Sequence, residues 1–510
     1  MRRCFDIFIA LLLAAFQAGA QDNSNINSRS AANQSRVKRL GSATAEECSS
    51  ASFLFSPFVG ESSAGILWHQ RHEDRPGLPQ EGDGVREGEF NARSLVRLDD
   101  KSAVQGGVTY QRGVKTHVKW NATSDFGLLR PYVMGDSIGG NLQKEQYSFS
   151  GKYACRLGGK TFMGVEGGYR ALHEYRTVDP RPRNIASDFT AGGSLGCLLG
   201  SCAASVSASC RKYFQTQNVS FVNPKGSNTS EFHFTGLGSH FARFSGSGIY
   251  TNTNYRGQGF SVSGLLQSVG PEGFSAGAAY AWFRTIRHLQ NQNDAPITEL
   301  FTRNVSAFGT WRRLVGGLAL AAELAGDYEL RQGDENVIDN VSTGSYLNLL
   351  SMTMYHSRQA EVFLRGAAEL ARPAGTWSAV PFIGFSMFSA KHLYPVRRVE
   401  HASLEAGGQC AFLHASEDWL YELEAGARWH RNLSGTFRIP LEYTEPGVAA
   451  ACSEIYARFV DNFARMDLSA KLQRTVSREL AVFFRVGAHA SAYSSGDREY
   501  ELTTAIGIAF

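Results

Sequence analysis

Hydrophobic and polar residues alternate with a period of two along most of the chain from about residue 56 onward. The last segment shows this best, because one face carries mainly large apolar residues and the other small or polar ones. The first face is formed by Tyr500, Leu502, Thr504, Ile506, Ile508 and Phe510. Side chains alternate between the two faces of a strand, so this pattern predicts strands with one apolar side. A strand between lipid and a polar lumen needs such a pattern.

The same alternation appears in the segments 147–155, 318–329, 419–430 and 480–493. In 419–430, Trp419 and Trp429 lie at the two ends of the apolar face, as the interfacial girdles of a membrane barrel require. A soluble β-sandwich also alternates, but its strands are usually about 5–6 residues long, shorter than these segments. The pattern therefore favours strands that cross a membrane.

Short and long connections also alternate along the chain. Short turns are expected near 157–160, 199–201, 269–272, 314–317, 372–375, 413–417 and 473–477, and long polar loops near 120–144, 218–243, 289–297, 331–344, 390–399 and 432–449. This asymmetry is typical of short periplasmic turns and long extracellular loops. The prediction is an all-β fold, a transmembrane antiparallel up-and-down β-barrel of about 18 strands, within a range of roughly 14 to 20. The segment 346–371 looks too long for one strand and is expected to contain an extra turn near Ser357.

The N-terminus has the pattern of a secretory signal peptide. Arg2 and Arg3 precede the apolar stretch 7–16, and Ala18 and Ala20 form an A-x-A cleavage site. Residues 1–20 are therefore predicted to be removed. Residues 21–55 are rich in Ser, Asn, Ala and Gln and are predicted to form a flexible N-terminal periplasmic tail, with a short plug as an alternative. Residues 56–510 would form the outer-membrane barrel.

Composition agrees with a barrel and gives little sign of chemistry. The chain has 53 Gly, 14 Pro and a net charge of +4, which gives no reason to expect nucleic acid as a partner. Seven cysteines remain after the predicted cleavage, and no spacing suggests a zinc site. Cys197 and Cys202 flank a short turn and could form a disulfide across it. No cofactor is predicted.

The predicted inward faces carry charged and histidine side chains that would line the lumen. These candidates are Glu323, Asp327, His401, Glu405, Glu422, Glu424, Arg428, His430, Arg465, Asp467, Lys471, Arg485 and His489. If a turn at 413–417 joins two strands, Glu405 faces Glu424 and His401 faces Arg428. Two facing carboxyl groups could act as an acid/base pair or bind a cation. A mixed-charge lining held by salt bridges is the simpler interpretation and is favoured.

Two further groups of residues are considered as binding sites. His401, His430 and His489 should lie toward the outer mouth, where they could bind a metal or haem, although no metal site is predicted. The basic segment 176–188 contains Arg176, Arg181 and Arg183, which could bind anions or a partner; alternatively, the segment caps the barrel mouth. No catalytic residue is predicted, and no G-x-S-x-G motif is present.

Several long stretches resemble a family of Bacteroidota outer-membrane barrels without an assigned function. These are residues 121–154, 167–188, 210–221 and 233–264, which include NATSDFGLLRPYVMGDSIGG and CRKYFQTQNVSF. The resemblance implies a barrel in the outer membrane, and its members often lie near TonB-dependent receptors. The terminal Phe510 resembles the signal that the barrel-assembly machinery recognises. No ligand or catalytic residue follows from this resemblance.

Together these observations predict a channel or an accessory component of small-solute uptake in the cell outer membrane. The alternative is a structural protein that docks a surface lipoprotein or a TonB-dependent receptor. An outer-membrane enzyme is the least favoured class.

Overall fold

The computed structural model of the protein describes residues 25–55, 60–222, 230–247, 252–290, 294–339 and 348–510. The predicted signal peptide lies outside these residues. Eighteen long strands form one sheet. They are β1 Glu61–Glu73, β2 Gly84–Arg97, β3 Ser102–Val118, β4 Gly140–Gly158, β5 Thr161–Arg176, β6 Arg181–Leu199, β7 Cys202–Ser220, β8 Thr253–Ser268, β9 Gly273–Leu289, β10 Ala295–Val315, β11 Leu318–Ile338, β12 Asn348–Arg372, β13 Gly375–His392, β14 Arg397–Ala415, β15 Trp419–Arg438, β16 Phe463–Ser477, β17 Leu480–Tyr493 and β18 Arg498–Ala509.

The sheet closes on itself as an antiparallel barrel. Each strand pairs with its neighbours in chain order, and β18 returns to pair with β1, where Ile66 lies opposite Ile506. Because the sheet is closed, no strand edge is left with unpaired backbone groups, which would be unfavourable in lipid. The predicted fold class and strand number are therefore confirmed. The extra turn expected near Ser357 is wrong, because β12 continues through it as one strand of 25 residues.

The outer surface of the barrel is apolar, as the alternation predicts. On β13 and on β15 to β18 the outward side chains include Trp377, Leu423, Leu468, Phe484 and Ile506, each at least 50% exposed. Their neighbours in sequence face the lumen and include Glu422, Glu424, Asp467 and Arg485. This distribution is the one that a barrel in a bilayer requires, because lipid contacts one face and polar groups meet inside.

Tight turns join the strands at one end of the barrel, called here the short-turn end. They follow every even-numbered strand from β2 to β16. At the opposite loop end, the connections after β5 and β13 are shorter than predicted because the strands extend further. The segment 176–188 is therefore not a cap: it comprises the end of β5, a tight turn and the start of β6.

Residues 25–55, called here the N-terminal segment, are folded inside the short-turn end. They form α1 Ile26–Asn33, α2 Arg36–Arg39, α3 Ser42–Cys48 and a 3-10 helix at Ser52–Phe55. The expectation of a flexible tail is wrong for this part. Hydrogen bonds and ion pairs to the barrel wall hold the segment, and its apolar side chains, such as Val37 and Phe53, pack against the inner face of the wall.

Three long connections fold back into the barrel at the loop end. The β3–β4 loop contains α4 Phe126–Leu129 and a short strand, Met134–Asp136, which pairs with Ser230–Gly236 of the β7–β8 loop. Two more short strands, Ser239–His240 and Gly246–Ser247, flank Ser230–Gly236. The β15–β16 loop contains a 3-10 helix at Leu441–Tyr443 and α5 Pro446–Phe459.

These three loops share an apolar core with the wall. Phe126, Phe232, Phe234 and Val448 of the loops pack together with Tyr213 and other wall residues. No helix within the described ranges is long and apolar enough to cross a membrane.

Candidate functional site

A series of ion pairs and hydrogen bonds crosses the lumen wall where the barrel closes. Arg465 on β16 contacts Nδ1 of His489 at 2.9 Å, and Nε2 of His489 lies 3.1 Å from Glu501 on β18. Glu501 then contacts Nε2 of His69 at 3.1 Å, and Nδ1 of His69 lies 3.4 Å from Glu87 on β2. Sequence analysis identified Arg465 and His489, but it missed their partners on β18, β1 and β2, which become neighbours only when the barrel closes.

The predicted facing of Glu405 and Glu424 is wrong. Glu405 lies opposite His430, six residues from Glu424 along β15, because the turn between β14 and β15 comes later than expected. Glu405 contacts Arg428 at 3.6 Å and His430 at 3.7 Å, so it belongs to a salt-bridged lining. His401 lies opposite Gly435, not Arg428.

The remaining lumen candidates also lie among inward side chains. Glu323 is 1% exposed, and its Oε2 lies 3.5 Å from Nη1 of Arg365. Asp467 accepts a hydrogen bond of 2.8 Å from Arg465. Lys471 lies over the ring of Phe483. Asp327 is opposite Glu361, and Arg485 is opposite Lys471.

Glu422 and Glu424 bind the N-terminal segment. Nη2 of Arg36 lies 2.8 Å from Glu422 and 2.5 Å from Glu424. The backbone N–H of Arg36 donates to Glu369 on β12 at 3.0 Å, and the Ser35 hydroxyl donates to the same carboxylate at 2.9 Å. Arg36 therefore links β12 to β15 across the inside of the barrel. Sequence analysis found both glutamates but not their partner.

Helix α3 lies inside the barrel, next to β8 and β9. It begins after Gly41, which has a left-handed φ of +72° and lies so close to Thr310 on β10 that a Cβ would overlap the Thr310 hydroxyl. Near its other end, the carbonyl of Glu46 accepts a hydrogen bond of 3.0 Å from Lys152 on β4. The helix and the residue before it thus contact β10 and β4, which are well separated in the wall, inside the short-turn end.

The three arginines considered as an anion site do not converge. Arg176 is buried and donates to Asp136 at 2.6 Å and to the carbonyl of Pro180 at 2.8 Å. Arg181 pairs with Asp179 of the adjoining turn at 2.6 Å. Arg183 is exposed and contacts His173 on β5 at 3.2 Å. Arg176 anchors the β3–β4 loop, a role that the spacing of the arginines did not indicate.

The infolded loops enclose an apolar cavity of about 160 Å³ at the loop end, called here the mouth cavity. Its walls come from the β1–β2, β3–β4, β7–β8 and β15–β16 loops and from β12 to β14. They are formed chiefly by aromatic and aliphatic side chains, including Trp120, Phe126, Phe234, Tyr355, Phe388 and Phe459. The sequence did not indicate this cavity, because its walls come from four separate loops and three strands that meet only in the folded protein.

Few polar groups reach the mouth cavity. They include Arg130, Gln80, Tyr456 and Cys452. Burial lowers the pKa of Arg130, and the nearby charge of Arg331 lowers it further. Burial raises the pKa of the Cys452 thiol to about 11, so this thiol is neutral near pH 7. Arg130 is thus the cationic group of an otherwise apolar site.

Each of the histidines considered as metal ligands contacts other side chains. His401 stacks between Phe388 and Phe459, while His430 stacks on Phe463. His489 belongs to the ion-pair series at the closure. The described part of the chain contains no group of three or more side chains able to hold a metal ion.

The cysteines are unpaired. Cys197 lies opposite Ala204, and Cys202 lies opposite Leu199. The structure therefore has no disulfide across this turn, and all seven described cysteines have free thiols.

Among solved structures, distant likenesses are found to bacterial receptors. They include the ferric enterobactin receptor of Pseudomonas aeruginosa (8% identity, TM-score 0.36, covering 88% of this chain and 80% of that one). Others are the ferric-catecholate import receptor Fiu of E. coli K12 (11%, 0.35, 88% and 81%) and the siderophore receptor PiuA of Acinetobacter baumannii (8%, 0.38, 88% and 82%). With TM-scores this low, the likeness carries no argument about this chain.

No curated protein matches the sequence. A family model matches residues 51–510, which is nearly all of the barrel and the end of the N-terminal segment. The chain therefore belongs to DUF6850, a family of unknown function.

Proposed function

We propose that this protein is an outer-membrane barrel that takes part in the uptake of a small solute, as a gated component rather than an open pore, and that it is not an enzyme. The location is supported by the apolar outer belt and the polar lumen. The observation that carries the gated role is the N-terminal segment, which lies inside the short-turn end and contacts strands on several sides of the wall. We infer that it obstructs the lumen there.

The contacts that hold the N-terminal segment suit a reversible obstruction. Besides Arg36, they include hydrogen bonds from Ser263 to the carbonyl of Cys48 and from Gln473 to Asn27. Polar contacts of this kind exchange with water at a modest net cost of about 0.5–1.5 kcal/mol each. Apolar packing adds to these contacts, because Ile26, Val37 and Phe53 are buried against wall residues. We propose that the segment can leave this position without unfolding the wall, whose strands are joined by their own ladders.

The proposal is tested by conductance of the purified full chain in planar bilayers. Arg36→Glu places a negative charge against Glu422 and Glu424, which should repel the N-terminal segment from the wall. We therefore expect openings that are more frequent or larger than in the wild type. Lys38→Gln is the matched control, because it removes a positive charge from the same helix, and Lys38 makes no ion pair within the described residues. Its conductance should equal that of the wild type.

Liposome swelling with small sugars and amino acids gives a second measurement. The wild type should admit these solutes slowly and Arg36→Glu faster. A wild-type barrel that conducts continuously, or an Arg36→Glu variant that conducts no more than Lys38→Gln, would refute the gated role.

A further inference from the structure

The mouth cavity has the form of a ligand site rather than a packing defect. One of its walls is a single face of α5, formed by Val448, Ala451, Cys452, Ile455, Tyr456 and Phe459. These positions recur every three or four residues, so they lie on one side of the helix. The β15–β16 loop therefore folds into the barrel to turn an apolar helix face toward an unfilled space.

Arg130 lines this space without a partner of its own. The nearby carboxylate of Glu329 is bound by Arg331, with contacts of 2.7 and 3.1 Å. Arg331 also donates to the carbonyl of Arg130 at 3.1 Å, which fixes the backbone there. Within the described residues, the guanidinium of Arg130 makes no hydrogen bond or ion pair. A partly buried charge usually has a partner, because removing it from water is costly.

We propose that the mouth cavity binds a small anion that carries one aromatic ring, with the ring among the aromatic side chains and the anionic group on Arg130. A cavity of this volume suits one ring, since an engineered apolar cavity of about 150 Å³ in another protein holds benzene. The guanidinium matches a carboxylate because it can donate two parallel hydrogen bonds. Pockets of this kind, apolar with a few placed polar groups, are typical of small-molecule sites.

The ligand of the mouth cavity would be the solute that the protein helps to take up, so this inference rests on the proposed function. Binding to the purified full chain in detergent is measured without transport. Conductance through the short-turn end is measured without this ligand. A negative binding result therefore does not contradict the gated role, and a negative conductance result does not contradict ligand binding.

The test is calorimetric titration with four probes. Benzoate has a ring and a charge, benzyl alcohol has the ring alone, acetate has the charge alone, and 2-naphthoate has two rings. We expect benzoate to bind at least about 10-fold more tightly than each of the others, as a hydrogen bond to a charged group would allow.

Three variants assign the binding to this cavity. Arg130→Gln should retain the affinity for benzyl alcohol and lose the preference for benzoate. Ala451→Phe fills the cavity and should abolish binding of both. Arg256→Gln removes an exposed arginine that does not line the cavity and should leave both affinities unchanged. Circular dichroism checks that each variant is folded. If Arg130→Gln does not fold, Arg130→Lys replaces it in the test; this variant keeps the charge and should keep part of the preference for benzoate over benzyl alcohol. A wild type that binds none of the probes, or that binds benzyl alcohol as tightly as benzoate, would overturn the proposal. So would Arg130→Gln or Ala451→Phe that binds benzoate as the wild type does.

Discussion

The ion pair between Arg176 and Asp136 allows a quantitative prediction about the β3–β4 loop. The side chains are 0% and 4% exposed, and the contact is 2.6 Å. Oδ1 of Asp136 also accepts the backbone N–H groups of Ile138 and Gly139 at 3.0 and 2.8 Å. The perturbation is Asp136→Ala, which leaves the charge of Arg176 buried without its carboxylate.

The expected cost follows from these contacts. Removing one partner of a buried ion pair costs about 3–5 kcal/mol, and two lost hydrogen bonds add about 0.5–1.5 kcal/mol each. Arg176→Met in the same chain replaces the stranded charge by an apolar side chain, so the double variant should lose mainly the two hydrogen bonds. The loop of the double variant should therefore be about 3 kcal/mol more stable than that of Asp136→Ala.

Hydrogen exchange of the amides in residues 120–140 measures this cost as a local opening. The summed cost of at least about 4 kcal/mol corresponds to roughly 1,000-fold faster exchange in Asp136→Ala. The double variant should exchange more slowly than Asp136→Ala, while amides of β16 to β18 serve as the internal control. Exchange that is unchanged in Asp136→Ala, or a double variant that exchanges as fast as Asp136→Ala, would refute the reasoning.

Three other predictions concern the loops and the N-terminal segment. Burial raises the pKa of the Cys48 thiol to about 11, so the folded protein favours the protonated thiol. The stability measured by thermal denaturation should therefore fall as the pH rises from about 9 to about 11. Cys48→Ala should remove this pH dependence. Cys48 is buried, so maleimide at pH 8 should label it slowly in the wild type and faster in Arg36→Glu, as mass spectrometry would show; equal rates would contradict a released segment. Asp125 accepts hydrogen bonds from Arg170 at 2.9 and 2.7 Å and from Tyr213 at 2.8 Å, so Asp125→Ala should destabilise α4 by at least about 1.5–3 kcal/mol, again measured by amide exchange.

The strands were predictable because their signal is local. Alternation within Leu480–Tyr493 or Trp419–Arg438 shows which side chains face lipid, whatever their neighbours are. The register between strands is not local. Moving a turn along the chain shifts every facing pair by twice that distance, and for this reason Glu405 faces His430 instead of Glu424.

The folded N-terminal segment was not predictable from its own composition, because short polar helices have little propensity without a surface to bind. Its signal lay partly in the wall. Glu369, Glu422 and Glu424 face inward near the short-turn end, and basic residues around Arg36 offer the opposite charge. The mouth cavity had no such signal, since its walls come from separate loops and meet only in the folded protein.

The route of the N-terminal segment also constrains how the molecule is assembled. Leu54 contacts Arg97 on β2, whereas Asn27 contacts Gln473 on β16, so the two ends of the segment are held by strands from opposite ends of the chain. Residues near 55 can therefore dock when the first strands exist, whereas residues near 27 have no seat until β16 is in place. Because Asn27 and Gln473 are 446 positions apart, their contact forms only at a late step of folding. The obstruction is thus completed last, after nearly the whole wall has been laid down.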